Sequence, residues 1–246
     1  MLKPYRMPNA VIAEGGTKDH IGMDLLIMRI VLGAEQRWTV KTMKNEPLVS
    51  IIMPVYNQPE MVIRALNSIP RREDIEIVIV DDSTDETTEN IRRWAEGKTS
   101  VRLIHHETRM GIGHAKNEAI ENATGMYVHE LDADDWLYTR EYEEAMAALD
   151  GTDIVYISLR INSGAVFWVT EESQRGFCAG TARFIRREFL GDTRCDEVMC
   201  NEDFDFNERL QAKPHTDKFT RIVAYHYNFP REGSLYDMMI KGQIQP

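Results

Sequence analysis

From Pro47 onward, short apolar runs alternate with amphipathic stretches of helical length, and no other feature restricts the fold as much. Leu48–Val55 (LVSIIMPV) is apolar enough for a strand buried on both faces. Pro54 falls at its end, where a missing N–H does least harm. Pro59 opens a helix with Val62, Ala65, Leu66 and Ile69 on one side. Ile75–Val80 (IEIVIV) reads as a second strand. Ser83 with Glu86 has the spacing of a capping box for a helix reaching Trp94, with Ile91 and Trp94 inward. Val101–His105 is a third strand, Gly111 to Ala123 a third helix, and Met126–Leu131 a fourth strand ending in Asp132. Tyr142, Ala145, Met146 and Leu149 stripe a fourth helix before a fifth strand at Asp153–Leu159. This alternation predicts βαβ units and an α/β fold with a mostly parallel sheet.

The pattern loosens after residue 160. Val166–Thr170 and Phe219–Tyr225 read as strands, and Glu202–Leu210 and Leu235–Ile240 as helices. No low-complexity linker divides this part, so one continuous domain is expected over residues 47–246. Residues 1–46 differ. Ile21, Leu25, Met28 and Leu32 fit a helical stripe, yet Leu25–Leu32 also fits a strand. We read this segment as an appended arm that either covers the core or joins two copies as a homodimer.

The chain has 246 residues, 43% hydrophobic and 28% charged, which excludes a disordered or fibrous protein. Its net charge of −11 argues against holding nucleic acid by bulk electrostatics. The arm carries +2, so the remainder carries −13. Cys178, Cys195 and Cys200 form no CxxC and are odd in number, which favours a reducing cytoplasm over a disulfide framework. The best apolar stretch, Ile21–Gly33, is interrupted by Asp24 and Arg29 and is far short of a membrane span of about 20 residues. MLKPYRMPNA lacks the apolar core of a signal peptide.

Parallel sheets bind ligands beyond the carboxyl ends of their strands. The residues there are Tyr56-Asn57, Asp81-Asp82, the turn Arg109–Gly113 and the acidic run Asp132–Asp135. Asp132 and Asp134 could direct oxygens at one hard divalent cation such as Mg²⁺ or Mn²⁺. The same run fits an acidic turn with Asp135 or Thr139 as a helix N-cap. Asp81 and Asp82 could accept hydrogen bonds from a nucleobase or ribose, or simply start a helix. Gly111 permits close approach of the backbone to a ligand, and Lys116 could reach a phosphate. A dinucleotide fingerprint fails, because Lys116 stands at the third glycine position and the segment follows the third strand. Glu202-Asp203 opens a helix and offers either a dipole partner or a general base. His226 and Arg231 could meet a diphosphate. His105, His106 and His129 read as packing, and Trp94, Trp168 and Tyr142 as core.

Taken in order, SIIMPVYN, EIVIVDDSTDETT, GIGHAKNEAI, YVHELDADDW and NEDFDF resemble the inverting glycosyltransferases of family two. The resemblance spans Pro47 to Ser234. It implies a GT-A, Rossmann-like single domain, with residues 47–136 binding a nucleotide sugar and 137–246 binding the acceptor. It implies that Pro54, Tyr56 and Asn57 line the nucleotide pocket. Asp82, or its neighbour Asp81, would hold the base, usually uracil, so the donor would be a UDP-sugar. Gly111 and Lys116 would lie near the nucleotide, Asp132 near the ribose and metal, and Asp134 on Mn²⁺ or Mg²⁺. Asp203 would be the general base, His226, Arg231 and Ser234 part of a closing loop, and Thr181, Ala182 and Glu202 the acceptor side. The partners implied are a nucleotide-sugar donor and a hydroxyl-bearing acceptor such as a glycan. A role in polysaccharide biosynthesis, with peripheral membrane association, is compatible with this. The alternative is a degenerate module that binds a nucleotide sugar without turnover.

Four positions depart from the family pattern. Arg109 stands where Asn is frequent, and Lys116 replaces Arg and so loses bidentate geometry. His129-Glu130 replaces apolar residues, with Glu130 read as facing solvent.

Overall fold

Strand β1 (Val49–Val55) is buried at every position. It lies between β2 (Ile75–Asp81) and β4 (Tyr127–Glu130), parallel to both, with β3 (Val101–His105) beyond β2. The structure is a computed structural model that describes residues 46–172, 180–197, 202–234, 237, 238 and 241. The arm at 1–45, Cys178, Cys200 and most of the expected tail helix lie outside the described residues.

Helices α1 (Met61–Ser68), α2 (Thr87–Ala95) and α3 (Ile112–Asn122) connect the parallel strands. The chain continues through β5 (Trp136–Leu137), α4 (Thr139–Met146), β6 (Ile154–Ile161), β7 (Val166–Phe167), a 3-10 turn (Gly180–Ala182) and β8 (Arg183–Arg186). It ends with α5 (Arg187–Leu190), α6 (Glu202–Gln211) and β9 (Asp217–Tyr227). Among the described residues the strands form one sheet, ordered β3-β2-β1-β4-β8-β6-β9-β5, with β7 on β6. The sheet is mostly parallel, as expected. Every antiparallel pairing involves β5, β7 or β8.

Alternation along β1 divides the core. Val49, Ile51, Met53 and Val55 face Val62 and Leu66 of α1 and Tyr142 and Met146 of α4. Ile52, with Val78 and Val128, faces Ala115 and Ala119 of α3 and Phe206 and Leu210 of α6. Pro54 pairs only with β2, because β4 ends opposite Ile52, so its missing N–H interrupts no second ladder.

Three local expectations are corrected. The Ser83–Glu86 box does not form: α2 begins at Thr87, its N-cap Glu86 makes no side-chain bond, and Ser83 Oγ accepts the Asn57 amide at 2.8 Å. Trp168 is 53% exposed, beside the short strand β7 at the border of the sheet. The segment RFIRREFL, with its arginines, hides β8 and α5 from a reading of apolar pattern. β8 nonetheless inserts antiparallel between β4 and β6, with Arg183 only 2% exposed.

Gly113 fixes how α3 meets the segment that precedes α6. A Cβ there would stand 2.0 Å from the Asp196 carbonyl oxygen, a backbone atom that cannot swing aside. Gly113→Ala is therefore expected to lower stability by about 1–3 kcal/mol or more, the usual cost of overpacking. Urea denaturation measures this, and an unchanged midpoint would show that the segment gives way freely.

Candidate active site

The acidic run follows directly on β4. Asp135 is 1% exposed and does not cap a helix; α4 has Tyr138 as N-cap without a side-chain bond. Instead Asp135 Oδ2 accepts the Tyr225 hydroxyl at 2.6 Å, and Oδ1 accepts the Asn228 amide at 2.7 Å. It ties the turn to β9. Burial, and then the charge of Asp134, push its carboxyl up to about 8. The Asp132 carboxylate accepts no hydrogen bond among the described residues. Burial, Glu130 and Asp135 push it well above the usual carboxylate range, against the pull of Lys116. Asp134 receives both Nε and Nη2 of Arg231 on Oδ2, at 2.8 and 2.7 Å, which leaves Oδ1 for another partner.

This donor set fits a hard cation. Asp132 is a carboxylate without a partner among other carboxylates, and Asp134 beside it has an open oxygen. Divalent Mg²⁺ or Mn²⁺ takes oxygen ligands of this kind, and its charge inverts the repulsion that raises Asp132.

Lys116 does not reach into solvent. It is 2% exposed, and its Nζ lies 2.7 Å from Glu130 Oε1 and 2.7 Å from Asp203 Oδ1. Glu130 is correspondingly buried, which corrects the expectation that it faces solvent. A lysine on α3 thus joins the end of β4 to the start of α6. The Asp203 side chain keeps 33% of its surface exposed, so it is both held and reachable. Glu202 heads the same helix, and its side chain lies outside the described set.

Just beyond the carboxyl end of β1, Tyr56 is 38% exposed with the Arg109 guanidinium 4.1 Å over its ring. Asn57 adopts φ 51°, a left-handed conformation that asparagine tolerates, and its Oδ1 accepts the Thr84 amide at 2.9 Å. Pro54 is buried in β1 rather than at a pocket wall. Asp81 is fully buried and its oxygens are taken by the Ser83 amide, the Thr88 hydroxyl and His105. Asp82 is 3% exposed; Oδ1 meets His106 Nδ1 at 2.8 Å, and Oδ2 accepts the amides of Met110 and Gly111 at 2.8 Å each. Both carboxylates therefore shape the loops around the pocket. Gly111 has φ 102°, which excludes other residues on backbone grounds.

His226 is 8% exposed and does not point at an open diphosphate site. Its Nδ1 meets the Tyr138 hydroxyl at 2.7 Å, its Nε2 meets Asn162 Oδ1 at 3.0 Å, and its ring stacks on Trp136 at 3.6 Å. Arg64 lies 4.1 Å from the same Trp136 ring, and its Nη2 donates to the Asp134 carbonyl at 2.5 Å. Thr181 and Ala182 are 4% and 1% exposed, so their side chains do not line an open acceptor surface. The Thr181 carbonyl instead meets the buried ring of His129, at 2.9 Å, where burial lowers the imidazole to about 4.

Tyr227, at the end of β9, was given no role by the sequence reading. Burial raises its hydroxyl first, and Asp132, Asp135, Asp134 and Asp203 raise it further. The acidic turn and the head of α6, 68 to 71 positions apart in the chain, thus act on one phenol. Its neighbours in sequence, His226 and Arg231, drew attention because they carry charge; a tyrosine on an alternating strand carries no such signal.

Comparisons with known proteins bear on the family and the fold. Residues 50–205 match the family described as glycosyl transferase family 2. The chain is 30% identical over 198 residues to a PGL/p-HBAD biosynthesis glycosyltransferase of Mycobacterium bovis, covering 74% of this chain and 77% of that protein. It is 33% identical over 199 residues to the putative glycosyltransferase EpsH of Bacillus subtilis, covering 77% of this chain and 52% of that one. Among solved structures, S. aureus TarS 1–349 in complex with UDP-GlcNAc superimposes with a TM-score of 0.63 at 25% identity over 76% of this chain. The match spans only 59% of that TarS fragment. The Pyrobaculum calidifontis mannosyltransferase PcManGT, in complex with GDP-Man and Mn²⁺, shares the fold at 23% identity, with a TM-score of 0.61 over 80% of this chain and 61% of that one.

Proposed function

Because this chain belongs to glycosyltransferase family 2, we propose that it moves a sugar from a UDP-sugar to an acceptor hydroxyl with inversion, using Asp203 as general base. The observation that carries this reading is the buried Lys116, 2.7 Å from both Asp203 and Glu130, which ties the candidate base to the strand that leads into the acidic turn. One side of the site then has groups suited to a metal diphosphate, and the other a positioned carboxylate.

Lys116 occupies Asp203 Oδ1, which leaves Oδ2 to take the proton of the acceptor hydroxyl. As that proton leaves, the acceptor oxygen forms a bond to the anomeric carbon. The bond from that carbon to the diphosphate oxygen breaks on the opposite face, and the nucleoside diphosphate departs. One displacement inverts the configuration. Asp132 and Asp134 would hold Mn²⁺ or Mg²⁺, which supplies positive charge against the diphosphate. Arg231, already on Asp134, adds a guanidinium on the same side. The UDP choice is supported by the TarS complex with UDP-GlcNAc.

Thermal-shift measurements with UDP-, GDP-, CMP- and TDP-sugars in Mn²⁺ test the donor. NMR of the product's anomeric proton tests inversion. Release of free sugar with no transfer to any acceptor alcohol would oppose the transferase mechanism. Asp134→Ala is expected to weaken UDP binding in Mn²⁺ by about tenfold or more, as loss of groups that hold a metal does. Titration calorimetry checks this, and an unchanged affinity would remove Asp134 from the metal site.

A further inference from the structure

We propose that His106, His114 and Glu118 form a second metal site, for a transition-metal ion such as Zn²⁺, beside Asp82. His106 follows β3 directly, and His114 and Glu118 lie one turn apart on α3, facing the same way. One ligand atom from each falls within 4.8 Å of the others.

The hydrogen bonding around His106 points to a cation. Its Nδ1 lies 2.8 Å from Asp82 Oδ1, and a carboxylate that already accepts two amides on its other oxygen can only accept here. So Nδ1 carries a proton, and Nε2, whose lone pair is free in the neutral ring, is directed at the third group. That group is Glu118 Oε2, 2.9 Å away. This oxygen is buried and makes no hydrogen bond. Two lone pairs at this separation repel unless a positive centre lies between them or beside them. A proton on Nε2 would make the contact an ion pair, but one outside hydrogen-bond geometry. A metal ion satisfies both atoms from one side.

The chemistry of the set selects the ion. Two imidazoles and one carboxylate suit Zn²⁺, Co²⁺ or Ni²⁺, whereas Mg²⁺ and Mn²⁺ prefer all-oxygen sites such as the acidic turn. Asp82 behind His106 is the carboxylate that commonly orients a ligating imidazole. Glu197 Oε1, 3.4 Å from His114 Nδ1, stands in the same relation to the second histidine. The three side chains keep 20%, 30% and 28% of their surface, so an ion can enter from solvent.

The site has a consequence for the pocket. Asp82 links the proposed ion to the Met110 and Gly111 amides, and the same turn carries Arg109 over Tyr56. A bound ion would brace that turn from outside without touching the donor.

The test uses the full chain, stripped with EDTA and dialysed. Co²⁺ alone should produce visible d–d bands at one equivalent, and Zn²⁺ should displace it and raise Tm more than Mg²⁺ does. The His114→Gln/Glu118→Gln variant should lose the bands and weaken Zn²⁺ binding more than about 100-fold, while its Tm in EDTA stays at the wild-type value. The single variant His114→Gln gives the same comparison if the double variant melts low in EDTA. Asp134→Ala should keep the bands. Their absence in the wild type, or bands that survive in the double variant and vanish in Asp134→Ala, would overturn the proposal.

Discussion

Asp203→Asn is expected to lower kcat by about 10²–10⁴-fold, the usual contribution of a positioned general base. Donor affinity should stay within about twofold. At about 1.4 kcal/mol per tenfold, the loss equals about 3–5.5 kcal/mol of barrier. The two readouts separate because of where Asp203 sits. It heads α6, whereas the groups suited to the diphosphate follow β4 and β9. Asparagine keeps the shape and can still accept the Lys116 ammonium on Oδ1, so the fold around it should persist. What it cannot do is take a proton from an alcohol. Stopped-flow or discontinuous assays of UDP release, with calorimetry for UDP-sugar binding, give both numbers. Wild-type turnover by the variant would move the base elsewhere, and loss of donor binding in step with turnover would make Asp203 a donor contact. If the wild type binds UDP-sugar and transfers nothing, the chain is the degenerate module instead.

Much of the frame was legible because burial on both faces of a parallel sheet demands continuous apolar sequence. LVSIIMPV and IEIVIV can hardly be anything else, and their carboxyl ends mark the pocket. The placement of Asp132 and Asp134 was legible for the same reason, since they stand where apolar pattern stops, and that of Asp203 because it opens a predicted helix. What was not legible is the pairing of charges across elements. Glu130 reads as solvent-facing until Lys116, 14 positions earlier on α3, is seen to be buried against it. Arg183 had no reading, and it sits inside on β8. Asp135 reads as a helix cap, although its partners Tyr225 and Asn228 lie 90 and 93 positions away. His106 reads as packing, because its partners come from β2 and α3 rather than from a local spacing motif. Local sequence carries periodicity well. It does not carry which buried charge meets which, since that depends on the stacking of α3 and α6 on one sheet face.

Lys116→Met is expected to reduce stability by about 3–5 kcal/mol, the range for breaking a buried ion pair at one partner. Methionine fills nearly the same volume, so the loss reports charge rather than a cavity. The ammonium is 2.7 Å from both Glu130 and Asp203, and Asp132 feels its charge as well. Without it, the buried Glu130 carboxylate loses its lysine, and the repulsion on Asp132 goes unopposed by that charge. The double variant Lys116→Met/Glu130→Gln should recover most of the stability, because it removes the buried charge that the lysine offsets. It should not recover transfer. Asp203 would still lack the donor that holds its Oδ1, and a base displaced by an ångström loses most of its advantage. Guanidinium denaturation of the single and double variants, beside kcat for each, separates the two roles. Equal stability of Lys116→Met and wild type would show that the charge triad contributes nothing to the fold. Recovery of both stability and transfer in the double variant would show that Lys116 serves Glu130 alone and leaves Asp203 to position itself.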